Sequence, residues 1–471
     1  MIHSTTPVTG ANPWTGCGDG VLVIGAGPAG LAAAHAISRQ GLQVQILDSS
    51  DRVGASWANH YDSLKLNSGR VISSLPGMRI DRRYGRWVSR DDFRDYLQRY
   101  ARWADLDIEH GAAVQRINRC DDRWLVQGGS RSWSAAAVVV ATGLNATAVV
   151  PDWAHRPFPG PVAHSDQYRN SAPYRDRDVL VVGGGSSAHD IALDLVRGGA
   201  RRVRMSIRTP PLLAPKQMLG LSSSIMSVLI KHGPPVGDRL VDALSLWLHR
   251  SCFPDADRLL GTPPTGLATA LRERGHGLTV EVGLLDAVRR GDVEIIAPVQ
   301  AFDHGDVVLG TGQRVRPDAI ILATGHRPSL EHLVGHLDVL GADGRPSMHP
   351  PHSLPHAPNL YFLGYRLPAG QLPDLSIDAR NLARHLRRTA MLRRTRTAAR
   401  RASALTLEGS GARTGDRSCT NTLSGSAPLA GADAEECTPS CVRHRRLPGL
   451  AAQDVRDLAS SITRRAVPSI E

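Results

Sequence analysis

Two glycine-rich turns, each set between a short apolar run and a helical stretch, constrain this 471-residue chain more than any other feature. The first, in VLVIGAGPAG, holds Gly25, Gly27, Pro28, Ala29 and Gly30. The second, in VLVVGGGSSA, holds Gly183, Gly185, Ser186, Ser187 and Ala188. The surroundings repeat as well. VLVI is a branched apolar run, AGLAAAHAISRQ has helical spacing and stops at Gly41, and LQVQILD is a second strand. VLVVGG, SSAHDIALDLVRGG and RRVRMSIR return in the same order. Two such βαβ units predict an α/β fold with two Rossmann-like dinucleotide-binding domains built on doubly wound parallel sheets. Two more strands end alike, AAVVVATG at Gly143 and DAIILATG at Gly325. The second lies beyond the second turn, which predicts that one domain is inserted into the other. The expected division is a flexible 1–18, a discontinuous first domain at 19–170 and 313–386, an inserted domain at 171–312, and a tail at 387–471.

The chemistry of each turn follows from its residues. Gly25 permits the tight turn, Gly27 lets a pyrophosphate approach the backbone, and Gly30 lets helix and strand pack closely. The helix start offers free N–H groups and a positive dipole end. An acid about 20 residues on grips a ribose hydroxyl, and Asp48 ends the second strand at that spacing. In the second unit Arg208, with Thr209 beside it, stands where the acid would be. An arginine fork binds the 2′-phosphate that an acid repels. The second turn is therefore expected to take NADPH, and by elimination the first takes FAD. Two different dinucleotides imply hydride transfer from NADPH to flavin.

Composition removes other classes. No run of 18 apolar residues is present, so a spanning helix is not expected. The start of the chain does not read as a signal peptide, which makes the cytoplasm the expected location. Six scattered cysteines form no disulfide framework, and none makes a redox pair near either turn. Cys437, Cys441 and His444 lack a fourth partner, and no metal is expected. The net charge of +12 owes much to Ala383–Ser403, a run with eight arginines and no acid. From Arg387 onward no aromatic residue occurs, so this segment reads as disordered rather than as a nucleic-acid groove. The stretch Leu212–Leu248 has apolar residues at helical spacing: Met218, Leu221, Ile225, Leu229, Leu240, Leu244, Trp247 and Leu248. It reads as helix core, or else as a lid or channel wall for a lipophilic substrate, with a membrane-surface helix as the third reading.

Between the turns, Phe158, Gly160, His164 and Tyr168 fit FxGxxxHxxxY. This resembles the identifying motif of flavin-containing monooxygenases. YDSLKLNS, RTPPLLAPKQMLG, VEVGLLDAVRRGDVEIIAP and ATGHRP resemble blocks of the plant YUCCA branch in the same order, and NLYFLGY resembles its closing flavin segment with Gly364. The resemblance covers about residues 19–386. It implies that FAD and NADPH serve a monooxygenase that puts one oxygen atom of O2 into a small organic substrate through a C4a-(hydro)peroxyflavin held beside bound NADP. It also implies that the linker motif touches NADP, that Asn67 lies near flavin and oxygen, and that Trp57 packs on the cofactor. Two departures stand out: Ala55 replaces a glycine before Trp57, and Asn67 replaces the histidine common in the YUCCA branch. From the residues alone, His164 reads equally as a loop histidine, Phe158 as core and Asn67 as a turn cap. A reductase without oxygen transfer and a flavin-fold scaffold with a polyanion-binding tail are the alternatives. Oligomeric state is left open, a homodimer included.

Overall fold

The apolar run beginning at Val21 becomes a central strand because it is buried on both faces, as parallel strands covered by helices are. The computed structural model describes residues 18–218, 221–222, 237–275, 277–366 and 372–390, all within the compact unit Met1–Ser403. In the first sheet the strand order is Ile108–Glu109, Val44–Leu47, Gly18–Ile24, Arg131–Val140, Arg123–Gly128 and Arg116–Cys120. The first four are parallel, and the last two fold back antiparallel. The second sheet is parallel throughout, in the order Val293–Ile296, Arg202–Ser206, Asp178–Val182, Ala319–Leu322 and Val162–His164.

Helix Pro28–Ser38 follows the first turn, with Pro28 at its start, where no N–H is needed. Its alanines at 29 and 32–34 are buried, and these small residues let the helix lie close on the sheet. Helix Arg90–Trp103 is started by Ser89, whose Oγ accepts the Asp92 N–H. Its buried Phe93, Tyr96, Leu97 and Tyr100 recur every three or four residues. The Tyr96 and Tyr100 hydroxyls donate to the carbonyls of Met78 and Pro76, each at 2.7 Å, and so hold the loop before it.

The insertion is present, but its joints differ from the sequence expectation. Ala319–Leu322 and Val162–His164 both pair inside the second sheet, although the sequence division put them in the first domain. The strand that returns to the first sheet is Leu360–Phe362, which pairs with Val138–Val140. The reason is register: all four residues of AIIL are buried and fit between two parallel neighbours, which an edge return would not supply. Residues 372–390 then form a helix, so the helical chain runs past the expected tail boundary at 386.

A second difference concerns the apolar insert. Met218 and Leu221 fall in a short antiparallel pair, not a helix. In helix Asp238–Cys252 the buried side is Val241, Ser245 and His249, while Leu240, Leu244 and Trp247 point outward. Asp242 explains that rotation, because its carboxylate accepts the N–H and hydroxyl of Thr269 and turns that face inward. Ile225, Leu229, the N-terminal 1–17, the tail from 391 and its Cys437, Cys441 and His444 lie outside the described residues.

Candidate active site

A cavity of about 700 Å³ opens at the C-terminal ends of the first sheet's strands, the place where ligands bind in open α/β sheets. The turn shapes one wall. Gly25 has φ +107, and a Cβ there would lie 2.7 Å from the Ala141 carbonyl oxygen. At Gly30 it would lie 1.8 Å from the Gly25 carbonyl. At Gly27 it would meet nothing within 4 Å. Two glycines therefore serve packing, and the third leaves bare backbone toward the cavity at a helix start, which fits a pyrophosphate. Asp48 lines the same space. Its Oδ2 accepts the Ala26 N–H at 2.5 Å and its Oδ1 the Ser50 N–H at 2.8 Å, so the carboxylate is fixed at the lip of the turn.

The opposite wall comes from a loop and two strand ends. Trp57 lines the cavity and packs edge-on against Phe93, ring centroids 4.5 Å apart. Asn67 and Ser68 line it from the bend after Leu66. Gly364, with φ +93, also lines it; a Cβ there would press on the Ala29 methyl at 3.1 Å. Thr142 lines the cavity where the first Ala-Thr-Gly ends, and its hydroxyl is 2.8 Å from the Tyr365 hydroxyl. This ties the returning strand to the cavity. His60, three residues after Trp57, was not singled out by sequence. Burial first, then the proximity of His326, Arg169 and Arg90, holds its pKa down to about 4. At neutral pH it is an uncharged part of the wall.

The second turn repeats the design. Gly183 has φ +143, and a Cβ would lie 2.3 Å from the Ala323 carbonyl; at Gly185 nothing lies within 4 Å. Each Ala-Thr-Gly thus backs one turn. Ala188 is buried, Ser187 is exposed, and Ser186 reaches the first cavity, so both turns open on one space. Arg208 and Thr209 are exposed just beyond Arg202–Ser206. The Thr209 carbonyl would lie 3.3 Å from a Cβ at Gly184, which sets this pair against the turn.

The linker residues lie outside the cavity lining. Phe158 packs on Phe302 at 5.3 Å between centroids. Gly160 is forced by close approach, since a Cβ would lie 2.5 Å from the Asp318 carbonyl. Tyr168 is buried and its hydroxyl donates to Asp194 at 2.6 Å, clamping the linker to helix Ser186–Arg197. His164 ends a strand of the second sheet and is buried. The linker also grips the cavity loop: the Asp62 N–H donates to the Arg169 carbonyl at 2.8 Å.

The fold is that of a flavoprotein oxidoreductase, with one glycine turn along the cavity and a residue of the second, Ser186, in its wall. Residues 22–227 match the family model described as pyridine nucleotide-disulphide oxidoreductase. Among curated proteins, the chain is 30% identical to "Probable indole-3-pyruvate monooxygenase YUCCA9" of Arabidopsis thaliana, over 78% of this chain and 89% of that protein. It is 32% identical to YUCCA7 of the same plant, over 66% and 75%. Among solved structures, the flavin-containing monooxygenase from Stenotrophomonas maltophilia matches at a TM-score of 0.58 and 25% identity, covering 79% of this chain and 98% of that one. Open cyclohexanone monooxygenase, at 17% identity and a TM-score of 0.59, shares the fold. The chain belongs to the flavin-containing monooxygenase family, in its YUCCA-like branch. It is a flavin-dependent monooxygenase that uses FAD and NADPH. Among the described residues, no helix is long and apolar enough to cross a membrane.

Proposed function

We propose that the chain oxidises NADPH through FAD and inserts one atom of O2 into a small organic substrate, oxygen being activated as the flavin C4a-(hydro)peroxide. The observation that carries this is the shared space: Ser186 of the second turn lines the cavity that Gly25, Gly27 and Asp48 line. Hydride transfer needs two cofactors within reach of each other. In this reading the first sheet's turn, with Gly25, Gly27, Pro28, Ala29, Gly30 and Asp48, holds FAD, and Trp57 and Gly364 wall its ring end. Gly183, Gly185, Ser186, Ser187, Ala188, Arg208 and Thr209 hold NADPH. Asn67 presents an amide that donates without changing charge. The residues' remaining work is to orient the cofactors and exclude water, which agrees with a cavity wall carrying a neutral His60 and, among the described residues, no paired carboxylates. The first substrate to try is a 2-oxo acid of the indole-3-pyruvate kind, named in the relatives' descriptions. Soft nitrogen and sulfur nucleophiles come next.

The test uses purified full-length protein. It should bind FAD, turn yellow, and consume NADPH together with oxygen. Anaerobic reduction by NADPH followed by an oxygen pulse should give a transient flavin absorbance distinct from the oxidised and reduced forms. Direct return to oxidised flavin would leave a reductase, and failure to bind FAD would remove the reading.

A further inference from the structure

Beside the second sheet, three side chains from two distant segments meet. His164 ends the strand Val162–His164, and Asp166 follows two residues later. His326 follows the strand Ala319–Leu322, in which Leu322 is the register partner of His164. Parallel pairing therefore releases both segments from the sheet at the same level. One ligand-type atom from each of the three side chains lies within 4.8 Å of the others. His164 Nδ1 is 3.1 Å from Asp166 Oδ1, and His326 Nε2 is 3.9 Å from Asp166 Oδ2. The two imidazoles stand perpendicular, centroids 4.7 Å apart.

The hydrogen bond on the far side of His164 fixes what the near side offers. Its Nε2 lies 3.1 Å from the Gly325 carbonyl oxygen. A carbonyl only accepts, so Nε2 carries the proton. In the neutral ring Nδ1 is then a bare lone pair facing a carboxylate oxygen. The Asp166 backbone N–H, at 3.4 Å, is a weak partner for it. Two acceptors at that distance call for positive charge between them. A proton on Nδ1 would satisfy the first pair. An Nε2–H on His326 would face the carboxylate's other oxygen, but at 3.9 Å it is beyond hydrogen-bond reach. A cation satisfies all three.

We propose that His164, Asp166 and His326 form a binding site for a first-row divalent cation, with zinc as its natural probe. Two imidazoles and one carboxylate suit zinc, cobalt, nickel or iron better than magnesium or calcium. A ring N–H donated to a backbone carbonyl is the support that ligating histidines ordinarily have. With bonds of about 2.0–2.2 Å, neighbouring ligand atoms sit closer than 3.9 Å, so His326 moves toward Asp166 on binding. The histidine side chains are 5% and 16% exposed, while Asp166 is 48% exposed, which leaves a solvent side for water ligands and entry. Zinc takes no electrons, so the site does not compete with flavin chemistry. Its position ties the linker to the loop that backs the second glycine turn.

The experiment uses tag-free, FAD-loaded full chain, stripped with chelator and dialysed. Zinc is titrated by calorimetry, and cobalt is followed by its visible absorption. One zinc per chain, bound with a Kd on the order of 10 μM or tighter, is expected. Asp166→Asn and His326→Gln should each weaken binding by at least about tenfold while FAD absorbance is retained, which separates ligand loss from misfolding. Both substitutions avoid the buried His164. Absence of saturable binding below about 100 μM would overturn the proposal. So would variants that bind zinc as the wild type does, since the metal would then be adventitious.

Discussion

Asn67 and Arg208 show how differently two site residues can be tested. Asn67 stands in the cavity wall beside Ser68, within the space both turns share. Flavin reduction needs only hydride geometry, whereas oxygen transfer needs a protected, long-lived oxidant. Asn67→Ala should therefore keep NADPH oxidation near its original rate and divert oxygen to hydrogen peroxide. Product and peroxide counted per NADPH give the answer, and unchanged coupling would make Asn67 a wall residue only. Arg208 is exposed beyond the second strand of its unit, open to a 2′-phosphate. A charge-assisted fork to such a phosphate is worth about 1.5–3 kcal/mol. Arg208→Ala should thus raise the NADPH KM on the order of tenfold to a hundredfold and leave NADH nearly unchanged. An equal loss for both coenzymes would mean the arginine does not read the phosphate. Both could be proposed from sequence because motif spacing is local. His60 could not, because its neutrality comes from burial and from Arg169 and His326 brought beside it by the fold. The meeting of His164 with His326 was equally hidden, since it depends on two parallel strands pairing in one register.

At the scale of the element, the glycine turns separate packing from binding. A methyl at Gly30 meets a carbonyl of its own turn, and at Gly183 it meets the Ala323 carbonyl in a backbone conformation that side chains avoid. At Gly27 and Gly185 it meets nothing. Gly30→Ala should lower the stability of the FAD-free protein by about 1–3 kcal/mol or more, the usual penalty of overpacking. Gly27→Ala should leave FAD-free stability almost unchanged and still weaken FAD binding, because its methyl enters the ligand's space. Denaturant midpoints and FAD titration on both variants check this; equal destabilisation by the two would contradict it. Sequence could assign these glycines because a βα turn is a contiguous motif. It could not orient the helix Asp238–Cys252. Apolar spacing defines a stripe, but tertiary partners such as Thr269 decide which stripe faces in, and here Leu240, Leu244 and Trp247 face out. It also could not tell which late strand returns to the first sheet, since AIIL and LYF are equally apolar.

At the scale of the whole molecule, buried histidines give stability a pH dependence, His189 and His60 both in the same sense. His189 lies on the inner face of helix Ser186–Arg197, and burial holds its pKa near 4 against an ordinary 6.5. Between those values the unfolded chain binds a proton that the folded chain refuses. Stability from this residue is therefore full above about pH 6.5 and falls as pH drops toward 4. The raised carboxyls of Asp178 and Asp190 act in the opposite sense, so the comparison must be made on a variant. His189→Gln should flatten the loss of stability between pH 7 and pH 5, measured by denaturant midpoints. An unchanged slope would show that the imidazole ionises in place.

The last prediction concerns how much of the chain the chemistry needs. Among the described residues, every one that lines the cavity lies upstream of 376, and the helix at 372–390 packs Ala379, Leu382, Ala383 and Leu386 into the first sheet's core. Removing that helix would open the wall that Leu372 and Leu375 complete. A chain ending at Ser403 keeps the helix and the whole compact unit Met1–Ser403 while losing the last 68 residues, Ala404–Glu471. It should retain FAD, NADPH oxidation and oxygen transfer at rates within about twofold, because the burial that forms the site is upstream of the cut. A chain ending at Asn381 should lose FAD, since half of that helix's apolar face is gone. The paired truncations separate two roles for the C-terminal region. If the Ser403 chain lost FAD as well, the last 68 residues would be part of what holds the cavity closed.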